Sequence, residues 1–183
     1  ITIGLDPSYW TVEVGAIDGA TTPDVANQIT ADCPETAIIA LSIGGNDALQ
    51  HLGLLTDNNR ILISETLSKF YTIREEFRKN YQEALDYLLA LGCPLIVCTI
   101  YNPDFNRDAQ TKPLQFTAEA ALSFFNDVIT QEALVRSIEI MDLRQICTES
   151  EDFANPIEPS CIGGQKIAEY LCSWAVHKSS VAA

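Results

Sequence analysis

The sequence predicts an α/β protein built on a parallel β-sheet, and three observations favour this class. Apolar runs with β-strand composition alternate along the chain with segments of helical periodicity. The apolar runs contain few polar positions, as strands do when helices cover both faces of a sheet. The loops that follow these runs are rich in Gly, Asn, Asp and Pro, and such loops converge at the carboxyl edge of a parallel sheet, where this class keeps its functional groups.

Four strands and four helices are expected in alternation. The strands are predicted over residues 10–17, 37–43, 94–101 and 138–143. Helices are predicted over residues 23–30, 64–91 and 116–136, with a last helix after Gly163 and Gly164.

Local signals support the individual helices. Thr21 or Thr22 can cap the first helix. Gly92 followed by Pro94 is the usual order of signals that end a helix, here the long second one. The apolar stripe of that helix recurs at helical spacing and is predicted to be core rather than a ligand site; it comprises Phe70, Ile73, Phe77, Tyr81, Leu85 and Leu88.

Length and charge restrict the function classes. The 183 residues are expected to form a single domain over residues 1–183. The net charge is −14, and the few basic residues are scattered, so nucleic acid and anionic membrane surfaces are poor partners. We find no apolar run of membrane-spanning length and no signal peptide, and we expect a soluble protein.

The six cysteines lack the paired spacing of zinc sites and are expected to be reduced structural thiols, which favours a cytosolic setting. The chain starts at Ile1 rather than Met, so a preceding targeting segment and the compartment stay open. We expect no metal, because the Asp and Glu residues of the predicted site are not spaced with His or Cys as metal ligands usually are. We also expect no cofactor, and Gly163-Gly164-Gln165-Lys166 lacks phosphate-loop spacing. Lys166 is expected to be a solvated residue, and nothing indicates the oligomeric state.

The most informative stretch is Gly44-Gly45-Asn46-Asp47, directly after the second predicted strand. Two glycines allow the backbone to approach a ligand closely, and the Asn46 amide can donate to an oxyanion above the strand end. Gly45 and Asp47 are therefore expected beside the substrate, and Asp47 can orient or cap the loop. The alternative is an ordinary turn. Gly19, after the first predicted strand, can offer a backbone N–H as a second oxyanion donor, or can be a turn glycine.

Together these residues resemble the blocks of the SGNH hydrolases, also called GDSL-type esterases. Residues 18–22 (Asp-Gly-Ala-Thr-Thr) resemble the Gly block, residues 42–47 (Ser-Ile-Gly-Gly-Asn-Asp) the Gly-x-Asn-Asp block, and residues 158–163 the start of the last block. The resemblance implies a three-layer α/β/α, flavodoxin-like parallel sheet. It also implies hydrolysis of a small acyl or acetyl ester through a serine nucleophile, with Gly19 and Asn46 holding the oxyanion.

One departure from the family concerns its nucleophile. No Gly-Asp-Ser block is present, and Leu5-Asp6-Pro7-Ser8 resembles a turn rather than the end of a strand. In the family that block ends the first strand, which lies between the second and third. We therefore expect this chain to be a fragment that lacks the first strand, with its serine upstream of Ile1.

The other departure concerns the catalytic base. Glu158 stands where the family has His, and Asn155 stands where it has Asp. A carboxylate can serve as a general base in an apolar pocket, so Glu158 is the candidate base, directly or through water; the alternative is a solvated loop residue. His51 is a candidate substrate contact or alternative base, and His177 is expected at the surface. Asp152 is a weaker candidate for orienting Glu158.

The leading hypothesis is an SGNH-type ester hydrolase. The alternative is a non-catalytic SGNH-like protein that binds a ligand or partner, which the replacements at residues 155 and 158 favour. A nucleotide or signalling module of flavodoxin type would need phosphate-binding loops at the same edge, and the sequence lacks them.

Overall fold

The computed structural model describes residues 5–29, 33–34, 36–56, 62–107 and 109–181. Three strands form a parallel sheet in the order β1-β2-β3; they are β1 (Ile39–Leu41), β2 (Leu95–Cys98) and β3 (Glu139–Met141). Each lies inside a run that the sequence predicts as a strand. The prediction of an α/β fold with a parallel sheet is confirmed.

Helices connect the strands. In chain order they are α1 (Val25–Gln28), α2 (Gly45–Leu49), α3 (Gly53–Thr56), α4 (Ile63–Ala90), α5 (Gln115–Val135) and α6 (Cys161–Val181). The predictions over residues 64–91 and 116–136 are confirmed by α4 and α5. The predicted helix over residues 23–30 is a 3-10 turn, Thr22–Asp24, followed by α1; its last predicted residue lies outside the described part of the chain.

The sequence predicted the end of α4 correctly but not the start of α6. After α4, Gly92 adopts a left-handed φ of 74°, which ends the helix as predicted. By contrast, α6 begins at Cys161 and not after Gly164. The Ser160 hydroxyl accepts hydrogen bonds from the N–H groups of Ile162 and Gly163 at 3.1 and 3.3 Å. Ser160 therefore caps the helix, and the glycines lie in its first turn.

Helices pack on both faces of the sheet. Leu95 and Val97 of β2 belong to one apolar cluster with α4 and α5, whereas Ile96 and Cys98 belong to a second with α6. This alternation follows from the two-residue period of a strand. An ion pair also joins α4 to α5, since the buried Glu132 of α5 binds Arg78 of α4 at 2.6 Å.

The strand predicted over residues 10–17 is wrong. The segment is a loop in which Val14 is 83% and Ile17 61% exposed, while Trp10 packs against the cluster around α6. A strand requires a neighbour for its backbone N–H and C=O groups. Among the described residues no strand offers these groups a partner, and the outer edge of β1 is likewise unpaired.

A short antiparallel hairpin was not predicted. It consists of β4 (Phe153–Asn155) and β5 (Glu158–Pro159) and lies between β3 and α6. The described helices include none with the length and apolar character needed to cross a bilayer.

Candidate functional site

The turn after β1 places Asn46 and Asp47 at the end of that strand. Gly44 adopts a left-handed φ of 110°, and a Cβ there would lie 3.0 Å from the Phe77 ring. Only glycine therefore fits this position without strain or displacement of the ring. The chain then enters α2, in which Asn46 and Asp47 are the second and third residues.

The Asn46 side chain has a fixed orientation. Its amide nitrogen donates to the Ala20 carbonyl oxygen at 2.9 Å. A carbonyl accepts and cannot donate, so only the NH₂ end of the amide can face Ala20. That bond uses one of the two N–H groups, and the other is left for a further acceptor.

Asp47, like Asn46, connects α2 to the loop at residues 18–22, and it does not line the pocket described below. Its carboxylate accepts from the Thr22 backbone N–H at 3.2 and 3.1 Å and from the Thr22 hydroxyl. Burial raises the pKa of Asp47, although the hydrogen bonds from Thr22 oppose the shift. The observed contacts of Asp47 thus hold the loop at residues 18–22 against α2.

Gly19 lies at the tip of that loop with a left-handed φ of 77°. It borders a depression of about 360 Å³ together with Asp24 and Asn27. The adjoining main pocket is lined by its neighbours Asp18 and Ala20 and not by Gly19 itself.

The main pocket has a volume of about 320 Å³ and lies at the carboxyl ends of β1 and β2. Gly45, Asn46, His51 and Glu158 all contribute to its lining. The structure thus brings together four of the six residues that the sequence predicted for the site. They come from segments more than 100 positions apart in the chain.

Glu158 reaches the pocket from the β4–β5 hairpin. The Asn155 amide nitrogen donates to Oε2 of Glu158 at 2.6 Å, and Asn155 Oδ1 accepts from the Ile157 N–H at 3.0 Å. The amide therefore fixes one carboxylate oxygen, while Oε1 has no such restraint from Asn155.

Tyr101 anchors the tip of this hairpin. Its hydroxyl donates to the Ile157 carbonyl at 2.8 Å. Burial, with the nearby Cys147 and Glu158, raises the pKa of Tyr101 to about 12, so the phenol remains protonated and can donate. Asp104 adds a backbone hydrogen bond to the Pro156 carbonyl at 2.8 Å.

Two buried amides of α5 hold the loop after β2, which carries Tyr101. Asn126 pairs with both the N–H and the carbonyl of Ile100, at 2.7 and 2.9 Å. Gln115 accepts from the Phe105 N–H and donates to the Pro103 carbonyl, both at 2.7 Å. These bonds satisfy backbone groups that an irregular buried loop would otherwise leave unpaired.

Asp152 does not orient Glu158. Its buried carboxylate binds Lys166 at 2.7 Å and accepts from the N–H groups of Thr148 and Glu149, each at 3.0 Å. Burial alone would raise the pKa of Asp152, but Lys166 and these donors outweigh it and lower the pKa. The expectation that Lys166 is simply solvated is therefore wrong.

Of the other polar candidates, His177 is exposed as predicted, and Ser8 lies in an exposed turn.

Most residues of the pocket wall were not predicted from the sequence. Phe70 was predicted to be core, and it does stack on Phe124 at a centroid distance of 5.5 Å, yet it also lines the pocket. Apolar residues at helical spacing look the same in a sequence whether they meet a core or a cavity. Within the described parts of the chain, no three His, Cys, Asp or Glu side chains are grouped so as to hold a metal ion.

No family model and no curated protein matches the sequence. Solved structures do match. A GDSL-like lipase from Bacteroides thetaiotaomicron is 13% identical, with a TM-score of 0.58 over 88% of this chain and 73% of that protein. An α/β-hydrolase enzyme from the metagenome of Lake Arreo, Spain, is 20% identical, with a TM-score of 0.58 over 86% and 68%. An acetyl xylan esterase is 15% identical, with a TM-score of 0.55 over 87% and 77%. At these identities the likeness concerns the fold, which this chain shares with GDSL-like lipases and esterases.

Proposed function

We propose that this chain is the larger part of an SGNH-type ester hydrolase with a flavodoxin-like, three-layer α/β/α domain. The serine nucleophile is supplied by sequence upstream of Ile1. Asn46 holds the oxyanion, and Glu158 is the general base; Gly19 does not line the main pocket and has no part in the proposed site. Gly45 and His51 contact the substrate, and Asp47 keeps the loop that carries Gly19 in place.

One observation carries the proposal: Asn46 and Glu158, from separate elements, line one pocket at the carboxyl ends of parallel strands. An oriented amide donor and a carboxylate at such a pocket supply two of the groups that acyl transfer needs. The fold that the chain shares with GDSL-like enzymes is consistent with this use.

The reaction proceeds in two steps. The serine oxygen attacks the ester carbonyl carbon while Glu158 accepts the serine proton, directly or through water, and the carbonyl oxygen becomes an oxyanion held by Asn46. Collapse of the tetrahedral intermediate returns the proton to the departing alcohol and leaves an acyl-serine. Water then attacks that ester by the same route and releases the acid.

Glu158 and Asn155 also support a second candidate, a non-catalytic relative that binds a ligand in the same pocket. Glu158 is exposed and hydrogen-bonded to an amide. An exposed carboxylate that is bound to an amide can equally serve as a polar contact for a ligand in the pocket. Turnover therefore separates the two candidates.

The test is hydrolysis of p-nitrophenyl esters by the chain with its native upstream sequence. Asn46→Ala is expected to lower kcat by about 10²-fold to 10³-fold, the loss typical of one oxyanion donor. Glu158→Gln is expected to lower kcat by about 10²-fold to 10⁴-fold, as for loss of a general base.

Matched controls use nearby exposed residues that do not line the pocket. Gln50→Ala on the segment after α2 and Glu151→Gln before the hairpin are expected to leave kcat within about twofold. Unchanged turnover in Glu158→Gln would remove Glu158 as the base. Ligand binding without turnover in the unmodified protein would establish the non-catalytic alternative.

A further inference from the structure

The pocket beside Asn46 combines a few polar groups with many apolar side chains. Its polar residues include Asn46 of α2 and Glu158 of the hairpin. The helices contribute many of its apolar residues, which include Phe70 of α4, Ala118, Ala121, Leu122 and Phe125 of α5, and Leu55 of α3. A molecule in this pocket therefore meets a few polar groups and a wall that is largely hydrocarbon.

The charges at the pocket are acidic. Its described lining includes Asp18 and Glu158 and neither Lys nor Arg. The chain as a whole carries a net charge of −14. An anionic group would be repelled here, whereas an uncharged chain that buries methylene groups gains free energy with each group buried.

We propose that this pocket is an acyl-chain site and that the preferred substrate is a neutral ester of a medium-chain acid, with about six to eight acyl carbons. This inference rests on the proposed function. The pocket, with a volume of about 320 Å³, has room for an acyl chain of that length. An acetyl group would leave most of the apolar wall without contacts.

Chain-length dependence of hydrolysis tests the proposal. With the protein that includes its upstream sequence, p-nitrophenyl acetate, butyrate, hexanoate, octanoate and dodecanoate are compared. We expect kcat/KM to rise about fourfold per added methylene up to the hexanoate or octanoate and to level off or fall for the dodecanoate. A profile that is flat or falls from acetate onward would overturn the proposal.

Two neighbouring alanines of α5 provide a matched pair of variants. Ala121 lines the pocket and is half-buried, whereas Ala120 is exposed and does not line it. Ala121→Phe is expected to abolish the preference for octanoate over acetate. Ala120→Phe is expected to keep the original profile. Ala121→Leu, a smaller change, should shift the optimum to shorter chains and guards against a folding defect in Ala121→Phe.

A binding measurement separates this inference from the proposed function. N-phenyl-1-naphthylamine is an uncharged apolar fluorescent probe, and its displacement requires no turnover. Displacement by methyl octanoate but not by methyl acetate, lost in Ala121→Phe, supports the acyl site even if no ester is hydrolysed. Equal displacement by both esters, or displacement that is unchanged in Ala121→Phe, would overturn the acyl site even if short esters are hydrolysed.

Discussion

At the scale of single residues, Asp142 shows how a side chain at a strand end fixes the pocket wall. Its carboxylate accepts from the Thr99 hydroxyl at 2.8 Å, and Thr99 in turn accepts from the Leu143 N–H at 2.9 Å. Thr99 and Leu143 both line the pocket. Asp142 therefore ties the ends of β2 and β3 together at the wall of the pocket.

The charge of Asp142 should stabilise the fold in a pH-dependent way. Hydrogen bonds from Arg144, and further ones from Thr99 and Gln145, hold the pKa of Asp142 well below its ordinary range despite partial burial. A depressed pKa stabilises the folded state above the unfolded pKa, which is about 4, and this contribution declines as the pH falls below it.

We expect Asp142→Asn to lower the free energy of unfolding by about 1 to 2 kcal/mol at pH 7, after allowance for solvent screening. The difference from the unmodified protein should shrink as the pH falls below about 4. Urea unfolding at pH 7, 5 and 3 measures it. Asp86→Asn is the control, because the Asp86 side chain is 67% exposed and its ion pair with Arg136 is worth little. If the difference in the free energy of unfolding between Asp142→Asn and the unmodified protein did not depend on pH, the charge of Asp142 would not be what stabilises the fold.

At the scale of elements, the start of α6 and the hairpin form one unit. The Asp152 carbonyl accepts from the Ser160 N–H at 2.7 Å. A Cβ at Gly163 would lie 2.2 Å from that same carbonyl oxygen. The helix can approach the chain before the hairpin only because residue 163 lacks a side chain, and this approach helps to position Glu158.

We expect Gly163→Ala to destabilise the fold by about 2 to 3 kcal/mol, the cost of overpacking against backbone that cannot easily move. Gly164 is the matched control, since a Cβ there meets no atom within 4 Å. Gly164→Ala should instead stabilise the fold by about 0.5 to 1 kcal/mol through helix propensity. Urea unfolding of both variants measures the difference, and similar effects at the two positions would refute the close contact.

At the scale of the whole molecule, the sequence predicts what repeats along the chain. β2 is an apolar run, and the apolar stripe of α4 belongs to a long helix that ends before Gly92. Each pattern spans enough residues to identify its element. The β4–β5 hairpin has only three and two residues in its strands, too few for a period to be recognised.

The site was partly predictable for a related reason. Asn46 and Gly45 follow a strand directly, so the position of the strand predicts their position at the sheet edge. Glu158 lines the pocket because Tyr101 and Asp104 hold the hairpin, and these contacts join residues more than 50 positions apart. No local pattern reports such contacts. Residues 10–17 failed as a strand because composition cannot reveal whether a partner strand is present.

The open edge of β1 leads to the last prediction. The Ile39 N–H donates to the Pro94 carbonyl at 2.9 Å, toward β2. Because backbone groups alternate in direction along a strand, the N–H of the next residue, Ala40, points to the unpaired edge. A first strand supplied by upstream sequence, as the resemblance to SGNH hydrolases implies, would pair there and could also give residues 10–17 a partner.

We expect the chain with its native upstream sequence to protect the Ala40 amide from hydrogen exchange, whereas residues 1–183 alone leave it unprotected. Protection should approach the limit set by global unfolding, since a central strand opens only with the whole sheet. The Ile39 amide is the internal control, because it is already bonded to β2 and should be protected in both chains. Changing the proposed upstream serine to Ala should preserve this protection and abolish ester hydrolysis, which distinguishes the proposed strand's structural role from its catalytic one. If Ala40 exchanges equally fast in both chains, the upstream sequence does not complete this sheet, and the nucleophile must be sought elsewhere.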